Sequence, residues 1–325
     1  MKLLEPKVEF VKQNLYKQGM YEQIEKAART CYKSEDKIQY DYDGNSVTAE
    51  KFVNNIVNVR KHGSVGEHGT VYLKYNFEWE ADWAYNNPYS RIKKGEDNCF
   101  YVTTNYRVLQ ENNLLDHIEK YSWEYTPNLH YKRWTFRFYT QIAISREANR
   151  HRKNSMAEQS TRYCNYSKDK HGNEVNICIP DFVNELDTNG ILELYDNCFD
   201  DSKTKWMRTL CLEIGHGDDQ REFDAITYWL LANMVCEYCY MNLIRLGVKP
   251  ENARTVLPLD TQTELVHTAY ISDWLHFLKL RLAETAHPDM RLLAKQMIAA
   301  LLEAEEIDNE DIDIISEKIG IKIEI

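Results

Sequence analysis

Apolar residues recur along the chain at two spacings, and each spacing predicts a kind of element. In residues 18 to 34, Met20, Ile24, Ala27, Ala28 and Cys31 fall three or four positions apart, which gives a helix one apolar face. A second helix is predicted from Thr48 to about His62, where Phe52, Ile56 and Val59 share a face. A glycine-rich break follows at residues 63 to 69. Val71, Leu73, Tyr75, Phe77 and Trp79 then alternate with polar positions, the period of a strand with one buried side. Trp134, Phe136 and Phe138 repeat that pattern. The intervening residues 80 to 130 are polar, rich in Asn and Tyr and without a clear period, and they read as a long excursion or an insertion.

The second half is helical in pattern. One long helix is predicted from Asp218 to about Leu246, stopped by Gly247 with Pro250 beyond. Others are predicted from Asp273 to Ala286, ahead of Pro288, and from Met290 to Glu306. Ile319, Ile321, Ile323 and Ile325 alternate and predict a terminal strand. No repeat, low-complexity linker or composition shift divides the chain. It therefore reads as one α+β domain over residues 1–325, with an antiparallel or mixed sheet packed against long helices.

Composition narrows the partners. A chain of 325 residues with 43% hydrophobic content and 22 tyrosines has ample material for a core. Its 40 basic and 51 acidic residues give a formal charge of −11, which argues against a nucleic-acid or anionic-membrane binder while allowing a local anion pocket. The first residues lack an apolar targeting segment. The most apolar stretch, Ala225 to Cys236, falls short of the roughly 18 to 20 residues a membrane span needs. Eight scattered cysteines fit reduced thiols in a cytoplasm. Cys236 and Cys239 form a C-x-x-C without a second ligand pair, so buried structural thiols are expected there, and no metal site.

Candidate chemistry concentrates in residues 145 to 163, which hold four arginines, Lys153, His151, Glu147, Glu158 and several hydroxyl groups. Guanidinium forks and hydroxyls suit phosphate oxygens, and the two carboxylates can accept from a sugar or an imide N–H. On composition alone, a solvated charged loop or a grip on single-stranded nucleic acid explains the segment equally well. Spacing adds specificity. Arg150-His151-Arg152, seven further residues and Ser160 form the RHR-x7-S pattern that resembles the flavin-dependent thymidylate synthases. The lead-in at Glu147 and the continuation Ser160-Thr161-Arg162-Tyr163 are similar to that family as well. His62-Gly63-Ser64-Val65-Gly66-Glu67-His68 resembles its upstream flavin turn. Residues 247 to 258 look like its G-x-x-P-x-x-A-R-x-x-L-P element, and residues 272 to 281 like its closing helix.

The resemblance implies FAD as cofactor, with NADPH and 5,10-methylenetetrahydrofolate as co-substrates, dUMP as substrate and a cytoplasmic homotetramer with shared sites. It implies flavin contacts from Arg150, His151, Arg152, Glu158, Tyr270, Ser272 and His276, with Ser64, His62 and Glu67 reaching in from a neighbouring subunit. Many members carry Asn-x-Arg where this chain has Tyr270 and Ser272. For dUMP it nominates Glu147, Arg150, Glu158, Gln159, Ser160, Thr161 and Arg162, joined by Arg254 from another chain. Arg281 is the residue it sets at the uracil edge. A plain alternative for Arg281 is a helix arginine paired with Glu284 three positions on. An inactive relative that keeps only the fold is the other rival reading.

Overall fold

The computed structural model describes residues 1–14, 17–168, 172–188, 190–196 and 224–323. It divides into two compact units between which the chain passes repeatedly. The larger comprises Val8–Phe138, Ala148–Gln159 and Glu264–Ile325, and the smaller Met1–Lys7, Tyr139–Glu147 and Ser160–Thr263.

In the larger unit the predicted first helix, α1 (Lys17–Tyr32), packs Met20, Tyr21 and Ile24 against Val71, Leu73 and Tyr75 of β3 (Thr70–Tyr75) and Phe100 and Val102 of β5 (Phe100–Asn105). The second predicted helix runs from Ala49 to Val53 and continues as a π-helical stretch, Asn54–Val59. β5 is the centre of a three-stranded antiparallel sheet, flanked by β3 and by β4 (Arg91–Lys94). Residues 80 to 130 thus supply a central strand of this core. All six residues of β5 are buried, including Thr103, Thr104 and Asn105, so a strand covered on both faces carries no alternation to read.

A second sheet has the order β2-β6-β9-β7, with β2 at Lys7–Phe10, β6 at Arg133–Gln141, β7 at Ser155–Glu158 and β9 at Gln262–Tyr270. β7 and β9 are antiparallel, with Ser155 opposite Thr268 and Glu158 opposite Leu265. The helix Ile271–Arg281 lies against β6. Trp274 meets Phe136 edge-on at 4.9 Å and donates from Nε1 to the Trp134 carbonyl at 3.0 Å. Fully burying such rings contributes about 1.5–3 kcal/mol each, and here it fixes the helix that carries Asp273, His276 and Arg281.

The smaller unit pairs β1 (Lys2–Leu4) in parallel with β8 (Asn176–Cys178). The helix Ala225–Arg245 starts at Asp224, whose side chain accepts from the Thr227 N–H at 2.7 Å. Gly247, at φ +86°, terminates it as the sequence predicts, because only glycine adopts that backbone without penalty. Ile226, Leu230, Met234 and Tyr240 pack on Val175, Ile177 and Tyr166. The expected start at Asp218 lies outside the described residues. Cys236 is half-buried and Cys239 exposed, which corrects the expectation of two buried thiols: three positions apart, both fall on the side of the helix that the core does not fully cover.

The α+β class with antiparallel and mixed pairing is the class observed. Two elements are corrected. The strand at 71–79 stops at Tyr75, and Glu78–Tyr85 is a helix with Glu78 and Glu80 in its first turn, where acids suit the dipole. Phe77 and Trp79 are left exposed. The terminal strand is a helix, Asn309–Ile319, opened by a reciprocal capping box between Asp308 and Asp311 and closed by Gly320 at φ +72°. Its buried residues Ile312, Ile315 and Ile319 follow a helical period, which overrides the alternation after Ile319. Ile325 lies outside the described residues. The late helices are Ile271–Arg281 and Pro288–Glu303, each a few residues displaced from the predicted bounds.

Candidate active site

The turn that precedes β7 is braced from below by a buried histidine. His267 of β9 shares a hydrogen bond at 3.2 Å between Nε2 and Asn149 Oδ1, and its Nδ1 meets Asn154 Nδ2 at 3.5 Å. Because the amide oxygen can only accept and the amide nitrogen can only donate, His267 is the neutral tautomer protonated on Nε2. Burial, reinforced by His68 and His151, pushes its pKa down to about 3. Asn149 in turn donates to Glu158 Oε2 at 3.0 Å. With both ends of the turn held, Arg150, Arg152 and Lys153 project outward and His151 points in.

His151 is buried against Phe277, ring centroids 4.5 Å apart, and 6.1 Å from the His276 ring. Arg281 Nε donates to His151 Nε2 at 3.0 Å. That nitrogen must carry a lone pair, so His151 is neutral with its proton on Nδ1. Burial, then the Arg281 charge and His276, hold its pKa down at about 4. Arg281 closes its helix, where a cation suits the negative end of the dipole. The helix ends there, three residues before Glu284.

These residues line one cleft of about 790 Å³, together with Arg91, Arg150, Arg152, Lys153, Asn154, Ser272, Asp273, His276 and Leu280. Six expected site residues thus converge: Arg150, His151, Arg152, Ser272, His276 and Arg281. The lining carries five side-chain cations, from Arg91, Arg150, Arg152, Lys153 and Arg281, against the one carboxylate of Asp273. Such an excess of fixed positive charge in a concave site selects an anionic ligand.

The other expected residues stand elsewhere. Ser64 and His62 are exposed at the 3-10 turn Gly63–His68, His62 hydrogen-bonded through Nδ1 to the Tyr32 hydroxyl at 2.9 Å. Glu67 pairs with Arg107 at 2.5 Å. His68 is fully buried and hydrogen-bonded to Thr268 Oγ1 at 2.9 Å. Tyr270 is buried, and its hydroxyl donates to the backbone carbonyls of Thr103 (2.7 Å) and Tyr89 (3.1 Å). It supports the cleft without lining it. Gln159 is buried, its N–H bonded to the Glu264 carbonyl.

Within the smaller unit, Arg254 donates to Thr161 Oγ1 at 3.3 Å, Arg162 Nε pairs with Glu251 at 3.4 Å, and Ser160 Oγ accepts from the Arg162 N–H at 3.3 Å. The downstream arginine thus meets Thr161 of its own chain, whereas the resemblance brings Arg254 to the phosphate from another chain. Glu147 is half-buried in the same unit.

Sequence reasoning missed Arg91, Lys153, Asn154, Asp273 and Leu280 as lining residues. Lys153 and Asn154 adjoin the motif and were within its reach. Arg91 gives no signal, since nothing local ties a residue of the unassigned segment to Asp273, 182 positions on.

The family model described as thymidylate synthase complementing protein matches residues 87–304, about two thirds of the chain. The match runs through most of residues 80 to 130. A comparison with curated protein sequences finds no match. Among solved structures, thymidylate synthase X from Helicobacter pylori, crystallised with FAD and dUMP, is 14% identical, with 91% of this chain and 93% of that chain covered and a TM-score of 0.36. The UMP/dUMP methylase PolB from Streptomyces cacaoi, bound to 5-Br dUMP, is 18% identical, with 93% of each chain covered and a TM-score of 0.40. The chain belongs to the thymidylate synthase complementing protein family.

Proposed function

We propose that the protein is a flavin-dependent thymidylate synthase, a methyltransferase that turns dUMP into dTMP. The balanced reaction takes dUMP, 5,10-methylenetetrahydrofolate, NADPH and a proton to dTMP, tetrahydrofolate and NADP⁺. The observation that carries this reading is the single cleft in which Arg150, His151 and Arg152 meet His276 and Arg281.

The residues present fit FAD. The cleft volume lies within the roughly 300–1,000 Å³ of small-molecule sites, its cations suit a diphosphate, and Leu280 with the neutral His151 offers surface for an uncharged ring. Arg150, His151, Arg152, Ser272 and His276 would hold the group. When bound, FAD supplies the redox chemistry, carrying hydride from NADPH to the one-carbon unit.

The protein's own part is to bind, orient and polarise. Arg281, steadied through Nε by His151, presents its planar guanidinium to the uracil edge. There it favours the ring deprotonated at N3 and raises electron density at C5. No enzyme atom bonds to the uracil. Ser160, Thr161, Arg162 and Arg254 bind the dUMP phosphate, Arg254 coming from another chain, with Glu147, Glu158 and Gln159 on sugar and base. Ser64, His62 and Glu67 approach FAD from a neighbouring subunit. The working form is a cytoplasmic homotetramer of one catalytic domain per chain. Among the described residues no helix is long and apolar enough to cross a membrane, and no partner nucleic acid is required.

The test is direct. Purified protein should show the visible absorption of a flavin and release tritium from dUMP labelled at C5 only when NADPH and methylenetetrahydrofolate are both supplied. FAD-loaded protein that releases none under those conditions would be an inactive relative, and the proposal would fail.

A further inference from the structure

One cation of the cleft comes from outside the arginine motif and is held on two sides, by a ring and by a carboxylate. Arg91 opens β4, where the antiparallel register sets it opposite Thr103. The Thr103 carbonyl accepts the Tyr270 hydroxyl at 2.7 Å, which fixes the tyrosine ring. The Arg91 guanidinium lies 3.8 Å from the centroid of that ring, and its Nη2 donates to Asp273 Oδ2 at 3.0 Å. Strand register, ring and carboxylate together fix the fork before a ligand arrives, so little ordering entropy remains to be lost on binding. Its side chain keeps 29% of its accessibility, against 14% for Asp273, so the fork still faces the cleft.

A second cation converges on the same carboxylate. Lys153 Nζ stands 4.0 Å from Asp273 Oδ1, and its side chain is 86% accessible. Two cations thus flank the one carboxylate of the lining. This pair is also remote from the reacting end. Asp273 and Arg281 are eight residues apart on one helix, or about 12 Å at 1.5 Å per residue.

We propose that Arg91 and Lys153 form a phosphate subsite that grips the diphosphate of a dinucleotide, with Asp273 and Tyr270 as positioning residues that hold the Arg91 fork. This rests on the reading of the cleft as the FAD site and names which end of it takes the phosphates. Leu280, His151 and Arg281 form the end for the ring.

The experiment is a titration of the full-length protein, stripped of flavin, with FAD, ADP and riboflavin, read by calorimetry and flavin fluorescence. Arg91→Ala should weaken FAD and ADP about ten- to hundredfold, the scale of one or two charge-assisted hydrogen bonds, and leave riboflavin unchanged. Arg91→Lys should recover only part, because an ammonium has no fork. Lys153→Ala should weaken FAD and ADP by about threefold, as an exposed charge does. Unchanged FAD and ADP affinity in Arg91→Ala, or an equal loss for riboflavin, overturns the subsite. Should Arg91→Ala not fold, Lys153→Ala decides, since that side chain is solvent-exposed, and unchanged affinity there overturns it too. Wild-type protein that binds ADP but no flavin would sink the functional reading and leave the subsite standing. Wild-type protein that binds neither sinks both.

Discussion

Arg281 and His151, 130 positions apart in the chain, meet at 3.0 Å with the guanidinium donating and the imidazole accepting. The histidine thus acts as a neutral brace for an arginine, and its depressed pKa keeps it able to accept. The arginine should therefore be needed for turnover but not for cofactor retention. We expect Arg281→Ala to bind FAD within a few-fold of wild type and to lose about 10²- to 10³-fold in kcat, the scale of removing one preorganised donor. Arg281→Lys should rescue little. Turnover within twofold of wild type in the alanine variant would remove the role assigned to this residue.

Acid should weaken both the brace and the fold. His151 and His130 have pKa values lowered to about 4, and His68 and His267 to about 3, with burial the largest cause in each. As pH falls below the ordinary value of 6.5 the unfolded chain takes up protons that the folded one refuses. Stability is therefore full above that pH and falls by about 1.4 kcal/mol per histidine per pH unit below it. Urea melts between pH 7 and 5 should show the decline, and a foldable His68→Gln variant should show a shallower slope.

Asn149 spans two interactions, His267 on one side and Glu158 on the other. Asn149→Ala leaves a buried imidazole N–H without its acceptor, so we expect about 1–3 kcal/mol of lost stability and weaker FAD binding as the turn loosens. A chemical melt and a flavin titration on the same sample separate the two effects. Loss of neither would show that the turn holds without its brace.

The C-terminal segment offers a test of helix against strand. Asp308→Ala removes the N-cap that accepts from Asp311 at 2.9 Å, and a cost of about 1 kcal/mol is expected. An equal cost for Gly320→Ala should follow from its left-handed backbone. Thermal melting of both variants reads the result, and a silent Asp308→Ala would contradict the capped helix.

Sites shared between chains predict complementation. Ser64 sits on the exposed 3-10 turn and Arg162 beside Glu251, and we assign them to contributions from different subunits. Mixing an inactive Ser64 variant with an inactive Arg162→Ala variant should restore partial activity in hybrid oligomers. Hybrids demonstrated by mass spectrometry that stay inactive would count against a shared site.

Much of the site was legible because its residues lie close together in the chain. Arg150, His151, Arg152 and Ser160 occupy a spacing recognisable by its resemblance to the RHR-x7-S pattern of the family, and helices with one apolar face announced themselves by period. Residues 80 to 130 stayed opaque because β5 is buried on both faces and carries threonines and an asparagine whose polarity is met inside the core. The false terminal strand arose because isoleucines at 319, 321 and 323 alternate past the end of a real helix, and the period reads the same until the cap is seen.

What the sequence by itself determined was the family, the α+β class and the identity of the charged groups. Only the tertiary structure decided which charges share a cleft, that His151 is the neutral partner of Arg281, and that Arg91 and Asp273 belong beside them. The reason is physical: periodicity reports which side of an element is apolar, whereas a site is made by side chains from distant elements whose mutual distances, and hence protonation and charge balance, exist only after packing.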